Sequence, residues 1–304
     1  MQIAVTGSRG LIGTALLAAL RADGHTAIPV LRGDAPGDGL HWDPDAGTID
    51  AAGFDGLDAV VHLAGAGIGD RRWTDEQKRR VLESRTVPTR LLATTLAGLE
   101  HPPGVLVSGS AIGWYGDRGS EVLDESSAPP EHRDFLADVC VQWEAATGTA
   151  EAAGIRTVHL RTGIVLAGEG GVLPRLATPF KLGLGGRTGS GRQYMSWIAL
   201  ADEVGAIRHA IIHAEVSGPL NATAPTPVTN AEMTAALGHV LKRPTVLPTP
   251  LPVLKLVYGA ELVEHLLVAG QRVVPDVLQA TGYSFVEPDL DGALRTALHR
   301  GATA

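Results

Sequence analysis

The chain has 304 residues and a mass of 31.6 kDa, a length that fits one large domain or two modest ones. Hydrophobic residues make up 44% of it and charged residues 19%, which is a globular composition and argues against long disordered segments. The formal charge of −8 and the pI near 5.7 give no overall electrostatic support to the binding of nucleic acid or of an anionic membrane.

The cysteine content and the N-terminus indicate a cytoplasmic protein. Cys140 is the single cysteine, so an intramolecular disulfide is excluded. The first residues lack the charged and apolar regions of a signal peptide, and no apolar run approaches the ~18 residues of a membrane helix. We therefore expect no membrane association.

Short apolar runs alternate with helical stretches in the first third of the chain, a pattern typical of a parallel sheet covered on both faces. The connection 33–56 is rich in Asp and Gly and is expected to hold one short strand. The predicted strands are 2–6, 26–31, 58–63, 105–108 and 155–161. The predicted helices run from the glycine loop to about Asp23, from the Thr74 capping box toward Leu99 with a kink or break at Pro88, and over 134–153.

The character of the chain changes after Arg161. Residues 183–192 form a glycine-rich loop, 200–213 a helix, and the Thr229 capping box opens another helix. Four prolines in 244–252 mark a connector into a C-terminal helical unit that runs to about Arg300. We expect three regions: a nucleotide-binding domain over 1–165, to which later segments such as 194–222 return, a substrate-cleft region over 166–243, and a small helical domain over 244–304.

A glycine-rich loop follows the first predicted strand directly and opens the first helix. Glycines in this context permit a tight turn and close approach to a pyrophosphate, while the helix N-terminus offers free N–H groups and a positive dipole. The loop predicts a dinucleotide site, with the cofactor-binding residues Gly7, Ser8, Arg9, Gly10, Leu11, Ile12 and Gly13.

The residue at the end of the second strand favours NADP(H). Sites that prefer NAD usually carry an acidic residue there, about 20 residues beyond the loop. In this chain the position holds Arg32. With Arg9 in the loop, two guanidinium groups can converge on a 2′-phosphate. Asp34 lies nearby and leaves NAD(H) as the alternative.

Several motifs together resemble an extended short-chain dehydrogenase/reductase, and more narrowly its atypical branch labelled NAD-dependent epimerase/dehydratase, whose members end in a small helical domain of unknown function. The general motifs are the glycine loop, His62-Leu63-Ala64-Gly65-Ala66, Ser108-Gly109-Ser110 and Tyr115-Gly116. The more specific ones are Asp70-Arg71-Arg72-Trp73-Thr74 with Lys78 and Ser84-Arg85, Gly189-Ser190-Gly191-Arg192-Gln193 with Ser196-Trp197-Ile198, and Gly270-Gln271-Arg272-Val273-Val274-Pro275.

The resemblance covers almost the whole chain and implies an α/β fold, a Rossmann-type doubly wound parallel sheet, with a smaller and mostly helical C-terminal region that shapes a substrate cleft. It implies NADP(H) as the cofactor. The further residues expected to bind that cofactor are Leu63, Ala64, Gly65, Ser108 and Arg161.

The usual catalytic pair of this superfamily, Tyr-x-x-x-Lys, is missing. The residues four positions after the four tyrosines are Gly119, Ile198, Leu262 and Glu287. Alignment on Glu144 puts Leu136 at the Tyr position and Cys140 at the Lys position. Since a positioned acid or base contributes ~10² to 10⁴ in rate, these residues do not support the standard alcohol–ketone mechanism.

Few residues remain as candidates for a replacement chemistry. Ser110, with Ser108 as the alternative, would hydrogen-bond the reacting oxygen, and Tyr115 or a water would supply the proton. Lys78 and Arg85, about two helical turns apart, would bind an anionic substrate group together with Arg71 or Arg72. Cys140 is the less favoured nucleophile, and the histidines show no metal-ligand spacing.

These observations leave three hypotheses for function. The first is an NADP(H)-dependent oxidoreductase that acts on a small polar substrate with a nonstandard proton donor. The second is a non-catalytic NADPH-binding sensor or scaffold, which the missing pair also suggests. A nucleotide-sugar epimerase is third, because that chemistry relies on the same missing tyrosine. The substrate and the oligomeric state are not determined.

Overall fold

The computed structural model describes residues 1–33, 35–69, 71–246 and 248–300. Asp34 and Asp70, both used in the sequence analysis, lie outside the described residues. The strands of the first part are β1 (Gln2–Thr6), β2 (Thr26–Arg32), β3 (Leu40–Asp43), β4 (Thr48–Ile49), β5 (Ala59–His62), β6 (Val105–Ala111), β7 (Val122–Leu123) and β8 (Arg156–Thr162). Those that follow are β9 (Ile164–Leu166), β10 (Tyr194–Met195), β11 (Trp197–Ala199), β12 (Gly218–Ala222), β13 (Val228–Thr229) and β14 (Arg272–Val273).

The helices alternate with these strands over the first two thirds of the chain. They are α1 (Leu11–Ala22), α2 (Asp75–Ala97), α3 (Phe135–Ala145), α4 (Gly148–Ala152), α5 (Leu173–Lys181), α6 (Leu200–Ile212), α7 (Asn230–Leu241), α8 (Leu251–Tyr258), α9 (Ala260–Leu262), α10 (Asp276–Ala280) and α11 (Leu290–Arg300). A π-helical segment, Val263–Val268, continues α9. Within the described ranges, no helix is both long and apolar enough to cross a bilayer.

An eight-stranded sheet in the order β12-β8-β6-β5-β1-β2-β3-β4 forms the centre of the molecule. Its neighbouring strands pair in parallel, except that β4 runs antiparallel to β3. The chain moves outward on one side of β1 through β2 to β4, then returns to the other side at β5. This reversal next to β1 is the switch point at which doubly wound sheets bind ligands. The predicted Rossmann-type α/β fold is confirmed.

The sheet is buried on both faces, as its apolar strands require. Along β5, Val61 packs in the apolar cluster that holds α1 and α6, whereas Val60 packs in the opposite cluster, which holds α2. The same alternation determines toward which face of the sheet the polar side chains at the carboxyl ends of the strands point. Thr6 and His62 therefore point toward α2, and this face becomes the polar side of the site.

Three local predictions were wrong. Helix α2 continues through Pro88 without a break, because its N-cap and its packing outweigh the single lost backbone hydrogen bond. The helix predicted over 134–153 is divided between α3 and α4, where the Thr147 hydroxyl donates to the Glu144 carbonyl. The connection 33–56 holds two short strands, β3 and β4, rather than one.

The specific motifs of the C-terminal half join the later segments to the sheet. The Ser196 hydroxyl donates to the Gln271 carbonyl at 2.7 Å and accepts the Val273 N–H at 2.8 Å. The Gln193 amide donates to the carbonyls of Thr188 and Leu267. These hydrogen bonds therefore join two motifs that are far apart in sequence, in residues 188–196 and 267–273.

Candidate active site

The glycine loop packs so closely that side chains are excluded at two positions. Gly7 has a φ of +63°, and a Cβ there would lie 2.7 Å from the carbonyl carbon and oxygen of Leu63. A Cβ on Gly13 would lie 2.2 Å from the Gly7 carbonyl oxygen. Gly10 is the N-cap residue of α1 and has no side chain that could cap the helix. The loop thus forms a bare backbone cradle at a helix N-terminus, which suits a pyrophosphate.

An open cleft of about 1020 Å³ lies beside this loop at the carboxyl edge of the sheet. Its volume is at the upper end of the ~300–1,000 Å³ found for sites of drug-sized ligands, so a dinucleotide is a reasonable occupant. The walls come from the glycine loop, from the ends of β2, β3 and β5, and from one side of α2. Among the predicted residues, Gly7, Ser8, Arg9, Gly10, Arg32, Leu63, Ala64 and Gly65 line it.

Arg9 and Arg32 both face this cleft. The Arg9 guanidinium donates to the Pro36 carbonyl, and Arg32 donates to the Asp45 carboxylate at 2.6 Å. The side chains of Arg32 and Asp45 are 59% and 81% exposed. An exposed pair of this kind contributes only ~0–1 kcal/mol. A dianionic phosphate can therefore replace Asp45 as the partner of Arg32.

A buried polar chain supports the wall of the cleft that follows β5. The His62 ring lies 2.7 Å from the Thr6 hydroxyl and 3.0 Å from the Thr89 hydroxyl, and Thr6 accepts the Leu63 N–H. Burial lowers the pKa of His62 to about 4. A neutral imidazole therefore links β1, β5 and α2 directly beneath Leu63, while Ser108 is buried beside it in register with His62.

Ser110 and Arg161 belong to one buried ion-paired network behind the cleft. Arg161 donates from Nε and Nη2 to the two carboxylate oxygens of Glu144 at 2.9 and 3.0 Å. The Ser110 hydroxyl donates to Oε1 of Glu144 at 2.6 Å. Arg161 also lies over the Trp114 ring, at 3.9 Å from its centroid. Both Ser110 and Arg161 thus lie away from the lining of the open cleft and are held by the same carboxylate.

The Tyr115 hydroxyl extends the same network. It donates to Asn221 at 2.7 Å and accepts from Arg161 at 3.1 Å. The residue is fully buried, and burial raises the pKa of Tyr115 to about 12 although Arg161 and Asn221 oppose the shift. Asn221 is fixed in turn by its backbone N–H, which donates to the Glu125 carboxylate, and by its side-chain amide, which donates to the Val274 carbonyl. In this arrangement the tyrosine proton is directed at the protein interior.

The two residues expected to bind a substrate anion, Lys78 and Arg85, each contact protein groups instead. Lys78 pairs with Glu261 and lies 5.5 Å from the centre of the Phe135 ring, so it ties α2 to α9. Arg72 donates to a carbonyl of α8. Arg85 is buried on the side of α2 that faces the sheet. These contacts do not support the anion-binding face of Lys78 and Arg85 with Arg71 or Arg72, which stays a prediction.

The positions of the missing Tyr and Lys hold buried, inert side chains. Leu136 and Cys140 both lie on the buried side of α3, and a Cβ on Gly113 would lie 3.3 Å from the Cys140 sulfur. Burial, with Glu144 adding to it, raises the pKa of the Cys140 thiol to about 12. Among the described residues, no group of three or more His, Cys, Asp and Glu side chains is arranged to hold a metal ion.

Sequence reasoning missed the functional neighbours of the predicted residues. Glu144, Asn221 and Glu125 complete the buried network, and Glu203 is a further buried carboxyl that accepts the Thr162 hydroxyl at 2.7 Å. The available signal was a charged residue on an otherwise apolar helix face, since Glu144 lies on the same buried side of α3 as Cys140 and Trp143. Such a residue is rarely buried unless it is paired.

Comparison with known proteins agrees with this geometry. Residues 3–222 match the NAD dependent epimerase/dehydratase family, and residues 249–297 match a domain of unknown function, DUF1731. An epimerase family protein of Mycobacterium bovis is 43% identical over 98% of both chains. The human epimerase family protein SDR39U1, crystallised with NADPH, is 35% identical, with a TM-score of 0.89 over 98% of this chain and 99% of that one.

A second solved structure is also similar over almost the full length of this chain. It is the nucleoside-diphosphate sugar epimerase from Corynebacterium glutamicum, 38% identical, with a TM-score of 0.81 over 98% of this chain and 58% of that one. The family matches and the shared fold establish the expected resemblance. This chain belongs to the NAD dependent epimerase/dehydratase family, with a C-terminal DUF1731 domain.

Proposed function

We propose that this protein is an NADP(H)-dependent oxidoreductase of the short-chain dehydrogenase superfamily that acts on a small polar substrate without a Tyr-x-x-x-Lys pair. The observation that carries the proposal is the bare glycine cradle with two arginines on the wall of the same cleft. The human relative crystallised with NADPH supports the choice of cofactor. When bound, the cofactor would supply or accept a hydride. The proposed setting is the cytoplasm.

The residues that would hold the cofactor follow from the walls of the cleft. Backbone N–H groups at the start of α1, after Gly10, would bind the pyrophosphate. Arg32 and Arg9 would bind the 2′-phosphate, since planar guanidinium groups suit a phosphate dianion. Leu63 to Gly65 would form the floor beneath the dinucleotide. NAD(H) is the alternative cofactor. Because it has no 2′-phosphate, it needs only the contacts at the start of α1 and those of Leu63 to Gly65.

For the chemical step, we propose that the Ser110 hydroxyl, which is buried behind the cleft, turns from Glu144 to donate to the reacting oxygen of the substrate. This hydroxyl is held by Glu144 at 2.6 Å, and that carboxylate is fixed by Arg161. Tyr115 directs its proton at Asn221, so a water is the better source of the proton. Arg161 therefore acts as a positioning residue for Glu144 and Ser110 rather than as a cofactor ligand.

Cofactor choice is tested by calorimetric titration of NADPH and NADH into the wild type and Arg32→Ala. We expect the wild type to prefer NADPH, and Arg32→Ala to weaken NADPH at least tenfold while NADH changes little, because a charge-assisted bond to phosphate is worth ~1.5–3 kcal/mol. Equal affinities of the wild type for both cofactors would refute the 2′-phosphate assignment. Asp45→Asn is the matched control, which should keep or tighten NADPH binding by freeing Arg32.

The second candidate function is a non-catalytic NADPH sensor. It is favoured by the burial of Ser110 and Tyr115, whose hydroxyls both donate to protein groups. NADPH oxidation measured against a panel of carbonyls, imines and enones separates the two. Turnover that Ser110→Ala abolishes supports the enzyme. A protein that binds NADPH, oxidises it with no compound, and has side chains packed against the nicotinamide in a cofactor-bound structure supports the sensor.

A further inference from the structure

We infer that Arg85 holds a fixed positive charge beside the nicotinamide half of the cleft, so that this protein binds NADPH more tightly than NADP⁺. The inference rests on the proposed function, because it requires that the cleft take this dinucleotide. It assigns to Arg85 a part in selecting the oxidation state of the cofactor, which is different from the anion-binding role expected from the sequence.

Arg85 is a buried guanidinium that has no acidic partner among the residues the structure describes. The residue is 6% exposed. Its Nη1 donates to the Val81 carbonyl at 2.9 Å, its Nη2 donates to the Ala66 carbonyl at 3.0 Å, and its Nε is buried without a partner among the described residues. None of the ion pairs within the described part of the chain includes Arg85. Its neighbours satisfy some of its N–H groups but leave its charge uncompensated.

Arg161 is a second buried guanidinium in this protein, and in contrast to Arg85 it is paired with a carboxylate. It is 3% exposed in its side chain and is neutralised by the two-point contact with Glu144. Arg85 lies over the Trp143 ring, 5.1 Å from its centroid, and burial lowers the pKa of its guanidinium. A buried charge without a partner is strongly destabilising. The charge of Arg85, unpaired among the described residues, is therefore expected to lower the stability of the folded state.

Arg85 lies behind the half of the cleft that would take the nicotinamide. Arg32, at the end of β2, marks the adenosine side, and β5 lies on the opposite side of β1. A dinucleotide spans this crevice with its two halves on the two sides of the switch point. A Cβ on Gly65, which lines the cleft after β5, would lie 3.6 Å from Cγ and Cζ of Arg85. One layer of backbone thus separates the guanidinium from the cleft.

The two oxidation states of the cofactor differ by one charge in this region. The phosphates are the same in NADPH and NADP⁺, whereas the oxidised ring is a cation and the reduced ring is neutral. A positive charge that is buried is screened little by salt and acts over longer distances than one in water. Arg85 should therefore repel the oxidised ring and leave the reduced ring unaffected.

The test is the ratio of the dissociation constants of NADP⁺ and NADPH, measured by titration on the full-length protein. We compare the wild type with Arg85→Gln, which is neutral and can keep one N–H bond to Ala66, and with Arg85→Lys, which keeps the charge. We expect a wild-type ratio above one, a fall of about tenfold in Arg85→Gln, and a ratio in Arg85→Lys within about threefold of the wild type. Tenfold is the effect of two unit charges on the order of 10 Å apart at an effective dielectric constant of about 20.

Arg90→Gln is the control, since Arg90 is exposed on the same helix and does not line the cleft. A merely structural role for Arg85 predicts that Arg85→Gln and Arg85→Lys weaken both nucleotides together and leave the ratio unchanged, and that result would overturn the inference. A wild-type ratio at or below one overturns it without any variant. Failure of the wild type to bind either nucleotide would refute the proposed function itself and with it the inference.

Discussion

Replacement of Glu203 by glutamine should stabilise this protein, and by more at pH 8 than at pH 5. Glu203 lies on α6, is fully buried, and accepts the Thr162 hydroxyl through Oε1. Its Oε2 has no partner among the described residues. Burial raises the pKa of this carboxyl from its ordinary value of 4.5 to about 8, because the charged form loses hydration and no cation within the described part of the chain compensates for that loss.

The raised pKa sets the direction of the effect. In the unfolded chain the carboxyl loses its proton near pH 4.5, whereas in the folded protein it holds the proton up to about pH 8. Between these values the folded state binds more protons, so the contribution of Glu203 to stability falls as the pH rises. At ~1.4 kcal/mol per pH unit, the wild type should lose about 3 kcal/mol from this group between pH 5 and pH 8.

Glutamine keeps the shape and the acceptor for Thr162 but does not titrate. Urea unfolding of the wild type and Glu203→Gln at pH 5, 6.5 and 8 measures the effect, because all other groups cancel in the difference between the two proteins. The gain in the free energy of unfolding should grow by about 3 kcal/mol over this range. A difference that is the same at every pH, or that shrinks as the pH rises, would show that Glu203 is ionised in the folded protein.

Two further substitutions test the site. Gly13→Ala puts a Cβ 2.2 Å from the Gly7 carbonyl oxygen, so it should cost ~1–3 kcal/mol of stability by overpacking and weaken NADPH more than tenfold in a titration. Gly148→Ala, where a Cβ meets nothing within 4 Å, is the control and should be neutral or slightly stabilising. Glu144→Gln leaves Arg161 without its counter-charge and should lower the free energy of unfolding by ~3–5 kcal/mol in urea titrations. Adding Arg161→Met should recover much of that loss, and additive losses would contradict the buried pair.

Local sequence signals were sufficient for the central sheet and for the close packing of the glycine loop. The strands that contain Val5 and Val61 are apolar throughout because both of their faces are buried, and this shows as a continuous apolar run. Gly7 and Gly13 were identifiable because the close approach of a loop to a helix and a strand excludes a Cβ, and no other residue type can satisfy that requirement. These constraints act between residues that are close in sequence, so they can be recognised from the sequence alone.

The partners of charged side chains depended on contacts across long stretches of chain. Arg161 reads in the sequence as a strand-end residue available to a cofactor, but it is neutralised by Glu144 from α3. Lys78 is held by Glu261, more than 180 residues away. The periodicity of apolar residues in the sequence does not predict such pairings. The free energy of a buried charge depends on the groups that the folded chain brings within about 4 Å of it. For the same reason the neighbours of Arg85 in sequence do not reveal that its guanidinium, on the same helix as Lys78, has no ion-pair partner within the described ranges.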